Sequence, residues 1–270
     1  SILCRAVRAG HDQPVMLRLF KAQSGVDADI AARLLRELEK LKELPVEYFV
    51  QHLDIRQSGE GLWYRVSEWL PAEHWGTLLA SGRLQDYAQA FRLFARIALI
   101  LEGLHRIGHL IPHLNLNDII VITREDRSLD VKIDFKLSRF LDPRLDRPGP
   151  MLRQVLDAHP DIIHHRPLDH RSDIWSLGKV FVEVLTADFE DTDYLAKIDG
   201  LALPEDVRVL LRVMLAEDPD LRPDTMAEVA AVLSRITPEA IEQSRLAQKS
   251  SRQAGTGFEI RGIKRRFGLV

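Results

Sequence analysis

The amino-acid sequence predicts an α+β chain in two lobes. A small β-rich lobe covers residues 1–70, a larger α-helical lobe covers 71–237, and a basic segment covers 238–270. Strand-like runs separated by turns dominate up to Pro71, apolar residues at helical spacing dominate after it, and no internal repeat relates one part to the other. ILCRAVRA and PVMLRLF are strand runs split by the turn GHDQ. From Asp27, ADIAARLLRELEKLKEL sets Ile30, Leu34, Leu38 and Leu41 on one helical face, and Pro45 lies just past its end. YFVQHLDI and LWYRVSE, split by QSGEG, complete a strand-strand-helix-strand-strand lobe. LQDYAQAFRLFARIALILEGLHRIG is a long amphipathic helix, apolar on most sides. IIVIT and LDVKI are short strands, and SDIWSLGKVFVEVLTA, PEDVRVLLRVMLAED and PDTMAEVAAVLSRI supply three more helices.

Composition agrees with a globular body. Of 270 residues 46% are hydrophobic and 29% charged, enough for a sizeable core. The single Cys4 excludes a disulfide framework and suits a reducing compartment. No segment has a signal-peptide layout, and FARIALILEGL, broken by Arg96 and Glu102, is too short to span a bilayer. A soluble cytoplasmic protein is expected, without a membrane or nucleic-acid partner. The net charge of −3 divides unevenly. From Ile241 onward seven Lys/Arg face two Asp/Glu, which leaves −8 on the body; a solvated tail fits that pattern, as does a tail touching nucleic acid, membrane or an acidic partner.

Several short pieces carry chemistry. IPHLNLNDIIV (111–121) is a polar turn running into a strand; Asp134-Phe135-Lys136 follows LDVKI; VMLR ends at Arg18. DHRSDIWSLG holds Asp173, Trp175 and Gly178, DPDLRP holds Arg222, and His159-Pro160-Asp161 lies ahead of them. In this order the pieces resemble the motifs of the protein kinase family, over nearly the whole chain. The resemblance implies a bilobal kinase-like fold whose first strand and Gly-rich loop are missing at the N-terminus. It implies that Asp173 is a buried anion accepting hydrogen bonds from the catalytic-loop backbone, and that Asp161 pairs with Arg222 in place of the Glu of A-P-E. Laid on H-R-D-L-x-x-x-N, the turn puts Pro112 on the Arg, His113 on the catalytic Asp and Asp118 on the Asn. D-F-G becomes Asp134-Phe135-Lys136, the Lys of V-A-I-K becomes Arg18, and its helix partner is Glu37. Backbone groups of Glu68 and Leu70 lie where the family's adenine-contacting strand runs, and can hold a purine whatever their side chains.

Each departure from the family pattern weakens phosphoryl transfer, which rests on positioning and charge neutralisation. His113 titrates near neutral pH but has another shape and sign than a carboxylate. Arg18 keeps a charge; its flat head suits a strand-to-helix pair with Glu37 better than the phosphate grip of a compact ammonium. Asp134 and Asp118 form a two-carboxylate candidate for Mg²⁺. Lys136 loses the backbone freedom of the family's Gly and either points to solvent or takes the cation's place between the two carboxylates. Residues 137–158 offer only Ser138 as a hydroxyl, so ordering by phosphorylation lacks its acceptor.

His159, His164, His165 and His170 match no common zinc spacing. GFEIRGIKRRFGLV at the C-terminus is similar to the first strand and phosphate loop of a kinase lobe, with Lys264, Arg265 and Arg266 at glycine positions. It reads as the start of a second kinase-like domain, as the missing strand folded back, or as a basic tail. The expected function is a catalytically impaired kinase-like regulatory domain of the bacterial serine/threonine type. It binds ATP or another nucleotide weakly, has an impaired Mg²⁺ site, and biases a protein partner such as an active kinase domain of the same polypeptide. The alternatives are a divergent active serine/threonine kinase using His113 and Asp134, and an interaction scaffold without nucleotide.

Overall fold

Alternation in the N-terminal runs builds a four-stranded antiparallel sheet. Its strands are β1 (Ile2–Val7), β2 (Pro14–Leu19), β3 (His52–Gln57) and β4 (Trp63–Glu68), in the order β1-β2-β4-β3. The computed structural model describes residues 2–7, 10, 12–20, 29, 32, 35–36, 39, 42, 45–73, 75–84, 86–111, 114–134 and 159–255. Glu37, His113, Lys136 and the segment 256–270 lie outside them. Of the helix expected between β2 and β3, Asp29, Ala32, Leu35, Arg36 and Glu39 are described, and all are helical and exposed.

Register decides what the sheet shows to the cleft. On β2 and β4, Arg18 stands opposite Arg65 and Met16 opposite Ser67. On β3 and β4, Ile55 stands opposite Arg65 and His52 opposite Ser67. Directly paired residues share a face, so the inner face carries Arg18, Arg65, His52 and Ser67. Leu17, Asp54, Arg56, Tyr64 and Val66 line a groove on the other face.

The strand expected from Tyr48 starts only at His52, because residues 48–50 pair elsewhere. The Val50 amide donates to the Ile133 carbonyl at 3.0 Å and the Ile133 amide to the Tyr48 carbonyl at 2.9 Å. This short pairing ties the small lobe to the second sheet, which runs β5-β6-β7 through β5 (Ala72–Glu73), β6 (Ile119–Thr123) and β7 (Leu129–Ile133).

The large lobe is helical: α1 (Trp75–Ala80), α2 (Tyr87–Arg106), α3 (Pro160–Ile163), α4 (His170–Thr186), α5 (Tyr194–Gly200), α6 (Glu205–Met214), α7 (Met226–Arg235) and α8 (Pro238–Gly255). Helix α2 is the core. Asp86 caps it by accepting from the Ala88 amide, and Phe91, Phe94, Ile97, Leu101 and Leu104 are buried along it. Phe94 stacks on Phe181 of α4 with centroids 3.9 Å apart; aromatic pairs of this kind add about 0.5–1.5 kcal/mol beyond area burial. Asp169 and Ser172 form a capping box at the start of α4. Gly178 lets α4 approach α6, since a Cβ there would lie 3.0 Å from Met214 Cβ.

A further helix follows the position 237 expected to close the large lobe. Pro238–Gly255 is a helix whose Ile241 enters the core, whose Arg245 lies over the Tyr87 ring, and whose Gln248 side chain donates to the Gly200 carbonyl. The polar residues around these few anchors hid the docking in the sequence pattern. Among the described residues no helix is long and apolar enough to cross a membrane.

Candidate functional site

The cleft between the lobes is organised by Asp134, the residue just after β7. The strand pairing of Ile133 and a 2.8 Å hydrogen bond from the Asp134 amide to the Asp118 carbonyl fix its backbone. Its carboxylate meets the inner face of the small lobe's sheet. Arg65 Nη2 donates to Oδ2 at 3.3 Å, and Arg65 Nη1 lies 3.1 Å from Oδ1 as an ion-pair contact without hydrogen-bond geometry. Arg18 Nη2 donates to the same Oδ2 at 3.4 Å. The side chains of Arg65 and Asp134 are only 2% and 6% exposed, against 20% for Arg18.

Electrostatics follow from this packing. Burial pushes the Asp134 carboxyl up, but Arg65 and then Arg18 pull it down further, and the balance falls below the ordinary carboxylate value. His52, whose ring nitrogens are buried without a hydrogen-bond partner among the described residues, is lowered to about 4 by burial first and by Arg65 second. The imidazole is therefore neutral at physiological pH. Arg18 is lowered by burial and by Arg65, with Asp134 and Asp118 opposing.

Asp118 is held differently. It is buried at the end of the 3₁₀ turn Leu116–Asp118, and its Oδ2 accepts from the Asn115 amide at 3.1 Å and from Asn115 Nδ2 at 2.8 Å. Magnesium demands near-octahedral oxygen ligands and gives up water reluctantly. With guanidinium groups against both Asp134 oxygens and Asn115 on Asp118, the described carboxylates do not fit that ion. Among the described residues no group of three or more His, Cys, Asp or Glu side chains can hold a metal.

At the cleft's rear edge the Glu68 carboxylate accepts from the Gln51 amide at 2.8 Å and from Lys132 Nζ at 2.6 Å, tying β4 to β7. The Glu68 amide donates to the Gln51 carbonyl at 2.9 Å, and the Leu70 carbonyl accepts from the Ala72 amide at 2.8 Å. Trp75 donates its indole N–H to the Ile119 carbonyl, and Arg5 lies over the Trp69 ring, so these aromatics pack locally.

Two carboxylates deeper in the large lobe are fully partnered. Asp173 accepts the Ile111 amide at 2.8 and 2.9 Å and bonds His105 Nε2 at 2.8 Å, holding the start of the 111–118 turn. Asp161 takes Arg222 through two parallel bonds of 2.8 Å and the Ser172 hydroxyl at 2.7 Å. Arg222 also donates to carbonyls of Ala216, Glu217 and Arg171. His159 accepts the Asp161 amide on Nδ1 and donates from Nε2 to the Ser172 carbonyl, so it is a capping side chain rather than a ligand.

Sequence reasoning brought Arg18 and Asp134 to the cleft but missed Arg65 and His52. Both lie on strands whose polar face turns inward. Arg65 stands opposite Arg18 on the paired strands β2 and β4, a pairing of strands distant in sequence that the sequence pattern does not encode.

This geometry superimposes on the kinase domain of Mycobacterium tuberculosis PknI with a TM-score of 0.60, covering 86% of this chain and 89% of that one at 14% identity. The chain has a protein kinase-like fold. The C20A_R136N double mutant of PknI superimposes likewise, with a TM-score of 0.63 and 15% identity over 86% and 89% of the two chains. In sequence the kinase-like chain is similar to serine/threonine-protein kinase pkn3 of Myxococcus xanthus, 23% identical over 188 residues, which are 67% of this chain and 34% of that protein. It is also similar to serine/threonine-protein kinase Nek4 of Mus musculus, 24% identical over 203 residues, or 70% and 25% of the two. The chain thus spans about a third or less of these relatives' length. No protein-family model matches it.

Proposed function

We propose that the chain is a catalytically impaired kinase-like domain that regulates a protein partner. The observation carrying this reading is the double guanidinium contact on Asp134. In phosphoryl transfer the D-F-G carboxylate must present its oxygens to the metal that neutralises the transferred phosphate; here Arg65 and Arg18 already stand against them. His113 at the catalytic Asp position and Lys136 at the Gly position support the same reading from the sequence. ATP or another nucleotide enters as a weak ligand resting on Glu68 and Leu70 backbone groups and on Arg18. A ligand that favours one arrangement of the two lobes shifts the population presented to the partner, and an active kinase domain in the same polypeptide is the partner proposed.

A second reading, a divergent active serine/threonine kinase, is favoured by the similarity to pkn3 and Nek4, both serine/threonine-protein kinases. Incubation of the purified chain with γ-labelled ATP, Mg²⁺ and a generic substrate separates the two. No label above that of an Asp134→Ala variant is the expected result. Label on the wild type that disappears in Asp134→Ala means an active kinase.

A further inference from the structure

A cavity of about 300 Å³ lies between α2 and the turn that joins β6 to β7, at the small end of the range of about 300–1,000 Å³ found for ligand pockets. It shares no lining residue with the Asp134 cluster. One wall is a stripe of α2, where Gln89, Arg92 and Arg96 recur three and four residues apart and so stand on one face. The facing wall is the β6–β7 turn, which carries Arg124. That turn is braced by hydrogen bonds from the Arg124 amide to the Ser128 carbonyl and from the Arg127 amide to the Arg124 carbonyl, both 2.9 Å. Three guanidinium groups and two carboxylates line the pocket, and the carboxylates are already engaged. Asp126 accepts the Ser128 amide at 2.9 Å and its hydroxyl at 2.6 Å. Asp130 accepts from Arg124 and from the Val131 amide. Arg96 reaches Asp130 only at 3.7 Å and rests its guanidinium 4.7 Å from the centre of the Tyr48 ring. Arg92 is exposed. Like charges four residues apart on a helix repel, so this pair presents positive charge that the turn does not balance. Beside it, Gln89 Oε1 is buried without a hydrogen-bond partner among the described residues.

We infer that this pocket docks a phosphorylated serine or threonine of a partner polypeptide. The inference names the chemistry of the partner in the regulatory reading above, and rests on that reading for there being a protein partner. A phosphoryl group brings about −1.5 to −2 charges and three acceptor oxygens. Those oxygens match the forked N–H groups of Arg92 and Arg96, since guanidinium binds phosphate through paired hydrogen bonds. A polypeptide backbone also brings an N–H for Gln89 Oε1, which a free phosphate dianion does not have. Leu129 is half-buried in the pocket wall, and Leu99 is 44% exposed one turn beyond Arg96 on α2. Both offer apolar contact to a side chain next to the phosphorylated one. An aspartate or glutamate fits less well, because one charge and two oxygens serve one guanidinium rather than two.

The test is calorimetric titration of the whole chain with a blocked peptide of alanines around a central phosphothreonine. Its unphosphorylated counterpart and inorganic phosphate are titrated separately. Saturable binding of the phosphopeptide is expected, at least about tenfold tighter than either control, because it alone combines the charge with a backbone donor. Arg92→Gln and Arg96→Gln should each weaken it about tenfold, the loss of one charge-assisted contact, and Gln89→Leu about threefold. Arg56→Gln, removing an exposed arginine on the small lobe's sheet, should leave affinity within about twofold, since distant exposed charges are screened. Melting followed in parallel shows that each variant folds, and Arg92, an exposed side chain, is the one on which the outcome turns. No saturable binding up to about 5 mM phosphopeptide overturns the inference. So does equal affinity for the unphosphorylated peptide or for inorganic phosphate, or the same loss in Arg56→Gln as in Arg92→Gln. None of these results touches the proposal of impaired transfer, which fails only on label transferred from ATP.

Discussion

Asp161 and Asp134 are both buried carboxylates facing arginine, yet they are built to different standards. At Asp161 each oxygen has a 2.8 Å guanidinium bond, the Ser172 hydroxyl fills a further lone pair, and Arg222 spends its remaining N–H groups on three carbonyls. At Asp134 two arginines share one carboxylate at 3.1–3.4 Å, and among the described residues buried donors on both remain unmatched. The first site is complete within the large lobe and holds α3 to the segment before α7. The second joins two lobes, and Arg18 Nε, Arg65 Nε and Nη1 and Asp134 Oδ1 are buried there without a hydrogen-bond partner among the described residues.

The comparison is broken most severely at its finished end. Arg222→Ala strands a buried Asp161 charge and should cost about 3–5 kcal/mol in chemical denaturation; a cost below about 1 kcal/mol would mean the pair is not what holds the lobe. Next comes the pH response of the cleft. His52 has a folded value near 4 against 6.5 for the free side chain, so its contribution is fully present above pH 6.5 and is lost as pH falls toward 4. The full shift corresponds to about 3 kcal/mol. Wild-type stability measured between pH 7 and 4 should decline, and His52→Gln should flatten the decline. Asp134, whose folded value is depressed, adds its own loss only as pH falls below its unfolded value of 3.8.

Arg65→Met sharpens the contrast with Arg222. Arg18 remains to balance Asp134, so a smaller cost of about 1–2 kcal/mol is expected in urea unfolding at neutral pH. A cost equal to that of Arg222→Ala would show that the cleft serves structure as fully as the deep pair does. Lys132→Ala, removing the partly exposed link to Glu68, should cost under about 1 kcal/mol and leave the large lobe's unfolding unchanged.

Much of the fold was legible because it is written in long periodic segments. The α2 stripe, the strand LWYRVSE and the D-x-W-x-x-G start of α4 need only regular spacing to be read. Arg65 was not legible for a physical reason. In WYRVSE the apolar Tyr64 and Val66 alternate with Arg65 and Ser67, and alternation assigns the polar face to solvent. The sheet turns that polar face inward, because Asp134 lies opposite and carries the compensating charge. His52 was hidden in the same way, inside a run read as one strand from Tyr48. Docking of α8 was missed because its single deep anchor, Ile241, is outweighed by charged neighbours. The sequence does suggest a basic group in the cation's place; the structure brings Arg18 and Arg65 to Asp134, while Lys136 lies outside the described residues.

The most direct test is a double-mutant cycle on Arg65 and Asp134, with Arg65→Met, Asp134→Asn and the pair compared by urea unfolding at neutral pH. A coupling energy of about 1–3 kcal/mol is predicted for residues in contact through a buried charge pair. Additivity of the two single changes to within about 0.5 kcal/mol would mean that Arg65 does not hold Asp134, and the cation's place would be open after all.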